Sequence, residues 1–382
     1  MNKKICIVQI NYTDFENFNM NYNNINILKE SKLFENIVLA APDIKKNKIV
    51  VDFAIKHNIE YFLGDIYNVS QRLLDCSNFY NAKIIVRVLI NWFFLDMQLI
   101  KISLNYLQKT NAECIKLPNN FDIRFVGDIF TIDFLNKVIK CSHNENNNKQ
   151  MLFNPWGYAD GNADKFNVFL LEDIPSYSEE KILEIKKKFD IVWPESHKKT
   201  LNISSTYKLI KSYFGTNNSN MVLDIACGFA NGSIILSDLF NQVIAVDLDP
   251  NTIQHNKDFN SKPNIKYQVG NAENLQFENN FFDAIVSIHT LEHLHNDETF
   301  LISCTKILKK NGLLCIEVPL HRDYPIKQII SKYHIREYKV DEFEMLISKY
   351  FNIIDIYGVT RGFYVSKKAA RESILIICKN KE

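Results

Sequence analysis

The sequence has no C-x-x-C pair, no excess charge of either sign and no apolar run long enough to cross a bilayer. Each absence removes a class of function. The eight cysteines (Cys6, Cys76, Cys114, Cys141, Cys227, Cys304, Cys315, Cys378) stand singly, which argues against a disulfide framework and a zinc site and for isolated buried thiols in a reducing cytoplasm. No metal is therefore expected. Lys plus Arg is 45 against 44 for Asp plus Glu, a net charge of +1, so nothing draws the chain toward nucleic acid or anionic lipid. The most apolar window, Ile84 to Leu95, is broken by Arg87 and Asn91 and is too short for a membrane span. The first ten residues, MNKKICIVQI, have too short an apolar stretch for a secretory core and read as a first strand.

What is present is an ordinary globular composition, 46% hydrophobic and 23% charged over 382 residues, enough for two domains with separate cores. Strand-like runs at Ile5–Gln9, Asn36–Ala40 and Lys83–Val88 alternate with helical stretches at Val69–Phe79 and Met97–Lys109. An Asn-rich polar excursion follows at Ser142–Lys149, then a charged helix at Ser178–Phe189. A connecting helix at Ser204–Phe214 leads into a second alternation. Its strands are expected at Val222–Ile225, Gln242–Val246, Ile265–Val269, Phe282–Ile288 and Leu313–Val318. A helix at Val340–Tyr350 and two last strands near Ile353–Val359 and Ser373–Cys378 complete it. Such alternation predicts α/β architecture, two Rossmann-like domains of three layers, α/β/α, over residues 1–198 and 199–382.

The most informative segment is VLDIACGFANG, Val222 to Gly232. An apolar run carrying one acid, Asp224, enters a small-residue turn that hands over to the apolar SIIL. A strand–turn–helix of this kind lets a ligand approach backbone N–H groups where a helix carries partial positive charge. A second acid, Asp247, closes the next apolar run, VIAV. Acids after successive strands suit a nucleoside held through its ribose hydroxyls. A dinucleotide fits less well, because residues 228–233 read GFANGS and lack G-x-G-x-x-G.

VLDIACGFANG, VIAVDLDP, VGNAENLQF and NNFFDAIVSIHTLEHL, in this order, resemble the class I S-adenosylmethionine-dependent methyltransferases over about residues 200 to 382. The resemblance implies a class I methyltransferase fold for the second domain and S-adenosylmethionine as cofactor. It places Asp224, Ala226, Gly228 and Gly232 in the loop facing the methionine part and ribose, and Asp247 with Leu248 at the ribose hydroxyls. Asn271 and Ala272 fall beside the adenine, and Ser287 at the end of the fourth strand beside the sulfonium. The family commonly has glycine where this chain has Ala226 and Ala230, which keeps the loop close provided φ is negative. Asn271 stands where an aspartate is usual, and an amide can still pair with adenine. For a hydroxyl acceptor, SIHTLEHLHND offers general bases: His289 first, then Glu292 and His293, the last two resembling a pair that often only holds the loop. His321, His334 and Arg336 would lie over the acceptor pocket, although loop polar groups bonding backbone read the same way.

Residues 60 to 139 resemble the cytidylyltransferases that activate acidic sugars, including the spore-coat polysaccharide type. The carriers are G-D-x-x-N-V-x-x-R (Gly64, Asp65, Asn68, Val69, Arg72), a strand ending Val86–Arg87, and Leu95–Asp96 ahead of a helix. The phosphate-gripping basic residues are missing, with no Arg or Lys between Gln9 and Lys29, and Asn91 replaces the metal-binding acid. This domain is expected to be degenerate, its Asp65, Asn68, Arg72 and Arg87 holding the fold.

The combined reading is a cytoplasmic methyltransferase acting on a hydroxyl of a sugar, nucleotide-sugar or surface-glycan precursor in polysaccharide biosynthesis. It binds a small-molecule or glycan acceptor and no nucleic acid, has no membrane span, and would form a homodimer through its first domain. Two rivals stay open: a bifunctional enzyme retaining cytidylyltransferase activity, and a non-catalytic scaffold of a glycan-assembly complex.

Overall fold

The computed structural model describes residues 2–17, 23–90, 92, 94–118, 121–144, 155, 163–172, 174, 176–187, 204–213, 220–323, 326, 329, 331–360 and 363–381. Asn91, the Asn-rich stretch 145–149 and the expected boundary near residue 200 lie outside them. The chain divides into two compact units, Met1–Glu195 with Arg322–Lys327, and Ser196–His321 with Gln328–Glu382.

Among its described residues the first unit has seven strands, β1 (Lys4–Gln9), β2 (Asn36–Pro42), β3 (Glu60–Gly64), β4 (Ile84–Leu89), β5 (Cys114–Lys116), β6 (Asp128–Thr131) and β7 (Val168–Leu170). Their order is β3-β2-β1-β4-β6-β5-β7. β1 pairs in parallel with β2 and with β4, and its Ile5–Val8 are buried completely. That accounts for a continuous apolar run without alternation, since helices cover both faces. β6 runs against its neighbours β4 and β5. The chain reverses into it through Gly127, whose φ of 81° and whose approach to the Arg87 carbonyl admit no side chain.

The G-D-x-x-N-V-x-x-R stretch is a capping device. Asp65 accepts from the Tyr67 and Asn68 N–H groups, and Asn68 caps the helix Val69–Phe79 through the Gln71 N–H. Arg72 returns to donate to the Asp65 carbonyl at 2.6 Å. Arg87 is buried with its guanidinium on Gln9 Oε1 (2.9 and 2.6 Å) and near Asp128. Past the carboxyl ends of the paired strands β1 and β4 lies a cleft lined by Gln9, Asn11, Asp14, Pro42, Arg72 and Ile90.

Among its described residues the second unit has eight strands, β8 (Met221–Ile225), β9 (Gln242–Asp247), β10 (Ile265–Val269), β11 (Phe282–Ile288), β12 (Leu308–Pro319), β13 (Phe351–Thr360), β14 (Phe363–Val365) and β15 (Ser373–Asn380). The order is β10-β9-β8-β11-β12-β15-β13-β14. β8 to β12 are parallel, whereas β15 slots antiparallel between β12 and β13.

Alternate residues of each strand feed separate cores. Val222, Val243, Ala284 and Val286 meet Tyr207 and Ile210 of the helix Ser204–Lys211 and Leu236 of the helix Asn231–Ser237. Leu223, Ile225, Ile244 and Ile285 meet Phe300 and Leu301 of the helix Asp297–Ile307 and Phe343 and Ile347 of the helix Val340–Tyr350. Burial of each such side chain is worth roughly 1.5–3 kcal/mol. Both units are thus α/β with a mixed sheet between helical layers. In the second, the chain departs from β8 in opposite directions, to β9 on one side and β11 on the other. A crevice therefore opens at the carboxyl ends of these strands, the position where open α/β sheets bind ligands.

Candidate functional site

The crevice begins where β8 ends. Ala226, Gly228 and Ala230 all take left-handed backbone, with φ of 57°, 50° and 60°. The alanines thus depart from the negative φ expected of them; three such residues in five curl the chain tightly enough to start the helix Asn231–Ser237 immediately. Cys227 N donates to the Val246 carbonyl at 3.0 Å, and the buried Asn256 amide donates to the Gly228 carbonyl at 2.6 Å, so the curl is anchored to β9 and to the helix Pro250–Phe259. A Cβ placed on Gly228 would meet nothing within 4 Å, so this face of the loop is open. Gly232 behaves differently. A Cβ there would stand 2.0 Å from the Tyr207 ring, so its smallness makes room for that packed tyrosine.

Asp224 lies below the loop, buried, accepting from Ser233 Oγ at 2.6 Å and from the Tyr207 hydroxyl at 3.3 Å. Burial raises its pKa to about 6, and the neighbouring Asp247 charge adds to that, against the two hydrogen bonds. Its carboxylate is spent on holding the turn. Asp247, the last residue of β9, is instead half-buried at the rim. One oxygen accepts from Gly228 N at 2.9 Å and the other from Asp249 N at 3.0 Å. Each oxygen keeps further acceptor capacity, and the side chain cannot swing.

Next to it Leu248 is 68% exposed, an apolar surface at the same rim. Asn271 caps the single turn Ala272–Asn274 by accepting from Glu273 N at 2.9 Å, which leaves its amide NH2 as the outward group. Ala272 is half-buried against the core beneath. Ser287, near the end of β11, is fully buried and its hydroxyl has no hydrogen-bond partner.

His289 follows β11 with a φ of 51°, its N–H donating to the Glu317 carbonyl. Its half-buried ring stands between two buried carboxylates, 3.5 Å from Glu292 and 3.4 Å from Glu317. Burial works to lower its pKa, but the hydrogen bonds to Glu292 and Glu317 win and push it up to about 10. A ring that holds its proton is a donor, whereas the sequence reading made it the first choice of base. Glu317 is itself braced by Ser373 Oγ (2.5 Å) and Thr206 Oγ1 (2.9 Å), and these donors with His289 outweigh burial and hold its carboxyl below the usual range. Sequence reasoning passed over Glu317. The signal was there: an acid inside LLCIEVP has to find partners once buried.

Glu292 sits on the turn Leu291–His293, 1% exposed, with Oε2 unpartnered. His293 is exposed beside it, Nε2 3.7 Å from Glu292 Oε1. The segment after β12 returns to this turn, Ile335 N and Arg336 N both donating to the Glu292 carbonyl. It brings His334 against His293, with ring centroids 5.1 Å apart. Arg336 is committed to Asp297 at 2.5 Å and to the His295 carbonyl, so it serves the loop. His321 donates its N–H to the Tyr338 carbonyl.

Comparison with known proteins places this unit. Residues 223–316 match the family model of a methyltransferase domain. A protein of Mycolicibacterium smegmatis named "Probable S-adenosylmethionine-dependent methyltransferase" is 27% identical over 163 residues, covering 41% of this chain and 61% of that one. The ubiquinone biosynthesis O-methyltransferase of Pelagibacter ubique is 31% identical over 118 residues, 30% of this chain and 48% of that one. The chain thus spans about three fifths of the mycobacterial relative and about half of the other. Among solved structures, the PH0226 protein of Pyrococcus horikoshii is 22% identical, with 47% of this chain and 89% of that one covered and a TM-score of 0.39. The match ends at Ile316, one residue before Glu317, and holds Asp224 to His293 of the crevice just described.

Proposed function

We propose that the second unit, built around this methyltransferase domain, transfers a methyl group from S-adenosylmethionine to a hydroxyl oxygen. The observation that carries the reading is the Asp247 carboxylate, fixed at the strand tip by Gly228 N and Asp249 N beside a loop face with open space. The residues fit the cofactor. Two ribose hydroxyls need two acceptors on one rigid group, which Asp247 supplies. The adenine needs apolar surface and an amide, which Leu248, Ala272 and Asn271 supply. The amino-acid end needs an uncluttered backbone, which Ala226 to Gly228 supply. Ser287 brings an unpartnered buried hydroxyl beside it.

When bound, the cofactor contributes an electrophilic methyl group on sulfur. The protein's task is alignment, which can supply up to about 7–11 kcal/mol of the barrier. The crest of β11 does this by ending in the His289 turn. There His289, Glu292 and His293 face the acceptor side, and we assign them the acceptor's orientation and the handling of its proton.

We place the acceptor among sugars, nucleotide-sugars and surface-glycan precursors, on the sequence resemblance alone of residues 60 to 139 to the sugar-activating cytidylyltransferases; the family match covers only residues 223–316. That unit supports recognition without nucleotidyl transfer. Arg72 and Arg87 are bound within the fold, and an acid, Asp14, stands in its cleft where triphosphate would need cations. A homodimer through this unit and a cytoplasmic location belong to the same proposal; among the described residues no helix is long and apolar enough to cross a membrane.

Calorimetry with S-adenosylhomocysteine tests the cofactor site. Asp247→Ala removes two charge-assisted hydrogen bonds and is expected to weaken binding about 100-fold. A wild-type protein that binds none, or a variant that binds equally well, overturns the site. Labelled methyl transfer across sugar and nucleotide-sugar panels tests the acceptor, and a product only on protein or a small amine overturns that part.

A further inference from the structure

At the turn that follows β11, Glu292 and His293 are joined by a third group, His334, from far along the chain. Glu292, His293 and His334 present one ligand atom each, all within 4.8 Å of one another. The tautomers follow from their partners. His293 Nδ1 faces the Tyr333 carbonyl at 2.8 Å, which can only accept, so Nδ1 carries the proton and Nε2 is a bare lone pair. His334 Nδ1 faces Glu337 Oε1 at 2.8 Å, and the same logic leaves its Nε2 free to ligate. The third group is buried and its Oε2 has no hydrogen-bond partner, an expensive arrangement for a carboxylate.

These observations are independent of each other and converge. Ligating histidines normally donate their second nitrogen to a carbonyl or carboxylate, which fixes ring and tautomer. Both rings here are held that way, one by each kind of partner. The backbone bonds from Ile335 and Arg336 to the Glu292 carbonyl lock the two halves of the cluster together. His293 is exposed, so an ion and a further ligand would have access.

We propose that Glu292, His293 and His334 form a two-histidine, one-carboxylate site for a divalent transition ion of the zinc type, open on one side toward the acceptor. The donor set is that of catalytic rather than closed structural sites, in which three protein ligands leave a position for water or substrate. Cysteine spacing alone led the sequence reading to expect no metal; His334 lies far along the chain and joins the pair only through the fold. The ion's role in catalysis rests on the methyl-transfer reading, whereas its binding does not. An acceptor hydroxyl at the open position would ionise at lower pH. Its proton leaves to solvent, its oxygen lone pair forms the bond to the methyl carbon, and the carbon–sulfur pair returns to sulfur, leaving a neutral thioether.

The test uses the full chain without a histidine tag, stripped by chelator and titrated with Co2+ and then Zn2+. One equivalent is expected, with a visible ligand-field absorption for Co2+ that Zn2+ abolishes. Glu292→Gln and His334→Ala should each weaken binding at least tenfold, and Glu337→Gln, which touches no ion, about 10–100-fold. S-adenosylhomocysteine affinity, measured on the same samples, should survive His334→Ala, which also shows that the variant is folded. No binding of Co2+ or Zn2+ by the wild type overturns the site, as does binding that Glu292→Gln and His334→Ala both leave unchanged. Metal binding without S-adenosylhomocysteine binding would keep the site and sink the methyl-transfer reading.

Discussion

Two alanines, Ala226 and Ala230, carry left-handed backbone in the loop after β8, and this has a measurable consequence. A side chain at such φ costs roughly 1–2 kcal/mol through its clash with the following carbonyl. Ala226 is exposed, so its Cβ contributes no packing in return. Ala226→Gly relieves the strain and gives back about 0.4–1 kcal/mol as unfolded-chain entropy. A net gain of about 0.5–1 kcal/mol is expected, read as a higher denaturant midpoint for the second unit. Asp224, beneath the same loop, predicts a pH dependence. Its pKa rises from 3.8 to about 6 on folding. The folded chain therefore binds the extra proton, and stability falls as pH climbs through that window. Two pKa units correspond to about 3 kcal/mol. Asp224→Asn, which cannot titrate, should flatten the stability profile by about that amount between pH ~4 and pH ~7. A wild type and variant with parallel profiles would show that the carboxyl is not held protonated.

At the scale of the element, helix ends and apolar strands were legible because each rests on local chemistry. Val69–Phe79, Val340–Tyr350, Ile265–Val269 and Phe282–Ile288 were placed to the residue. Asn68 supplies one boundary through its side-chain bond to Gln71 N, and Asn68→Ala should cost about 1 kcal/mol, visible as a lower midpoint for the first unit alone. The three- and four-residue strands β5, β6 and β7 escaped, since CIK, DIFT and VFL are too short to display a period. β12 begins five residues earlier than its apolar run, at Leu308 against Leu313, because Leu308 already pairs with Phe282 before the register shifts and regular pairing resumes at Leu313 with Ala284. In the site, the split is the same. Asp247 and Gly228 announce themselves by strand–turn–helix order. Tyr207 against Gly232, Glu317 against His289 and His334 against His293 are meetings of distant segments, and no local pattern encodes them. Backbone dihedrals were equally hidden, which is why Ala226 and Ala230 were expected at negative φ.

The whole molecule has two separate sets of buried residues, one on the seven-stranded sheet and the other on the eight-stranded sheet. Two cores of this size predict two cooperative transitions on heating, so that no single melting temperature describes the chain. A ligand that binds only one folded unit stabilises that unit by mass action, about 2.7 kcal/mol at a hundredfold excess over its dissociation constant. For a unit of this size that corresponds to roughly 5–10 °C. Saturating S-adenosylhomocysteine is therefore expected to raise one calorimetric transition by that amount and leave the other in place. The transition that moves should be the one that Asn68→Ala leaves unchanged, since the cap belongs to the first sheet and Asp247 to the second. If ligand and cap substitution shift the same transition, the assignment of the cofactor to the eight-stranded sheet is wrong.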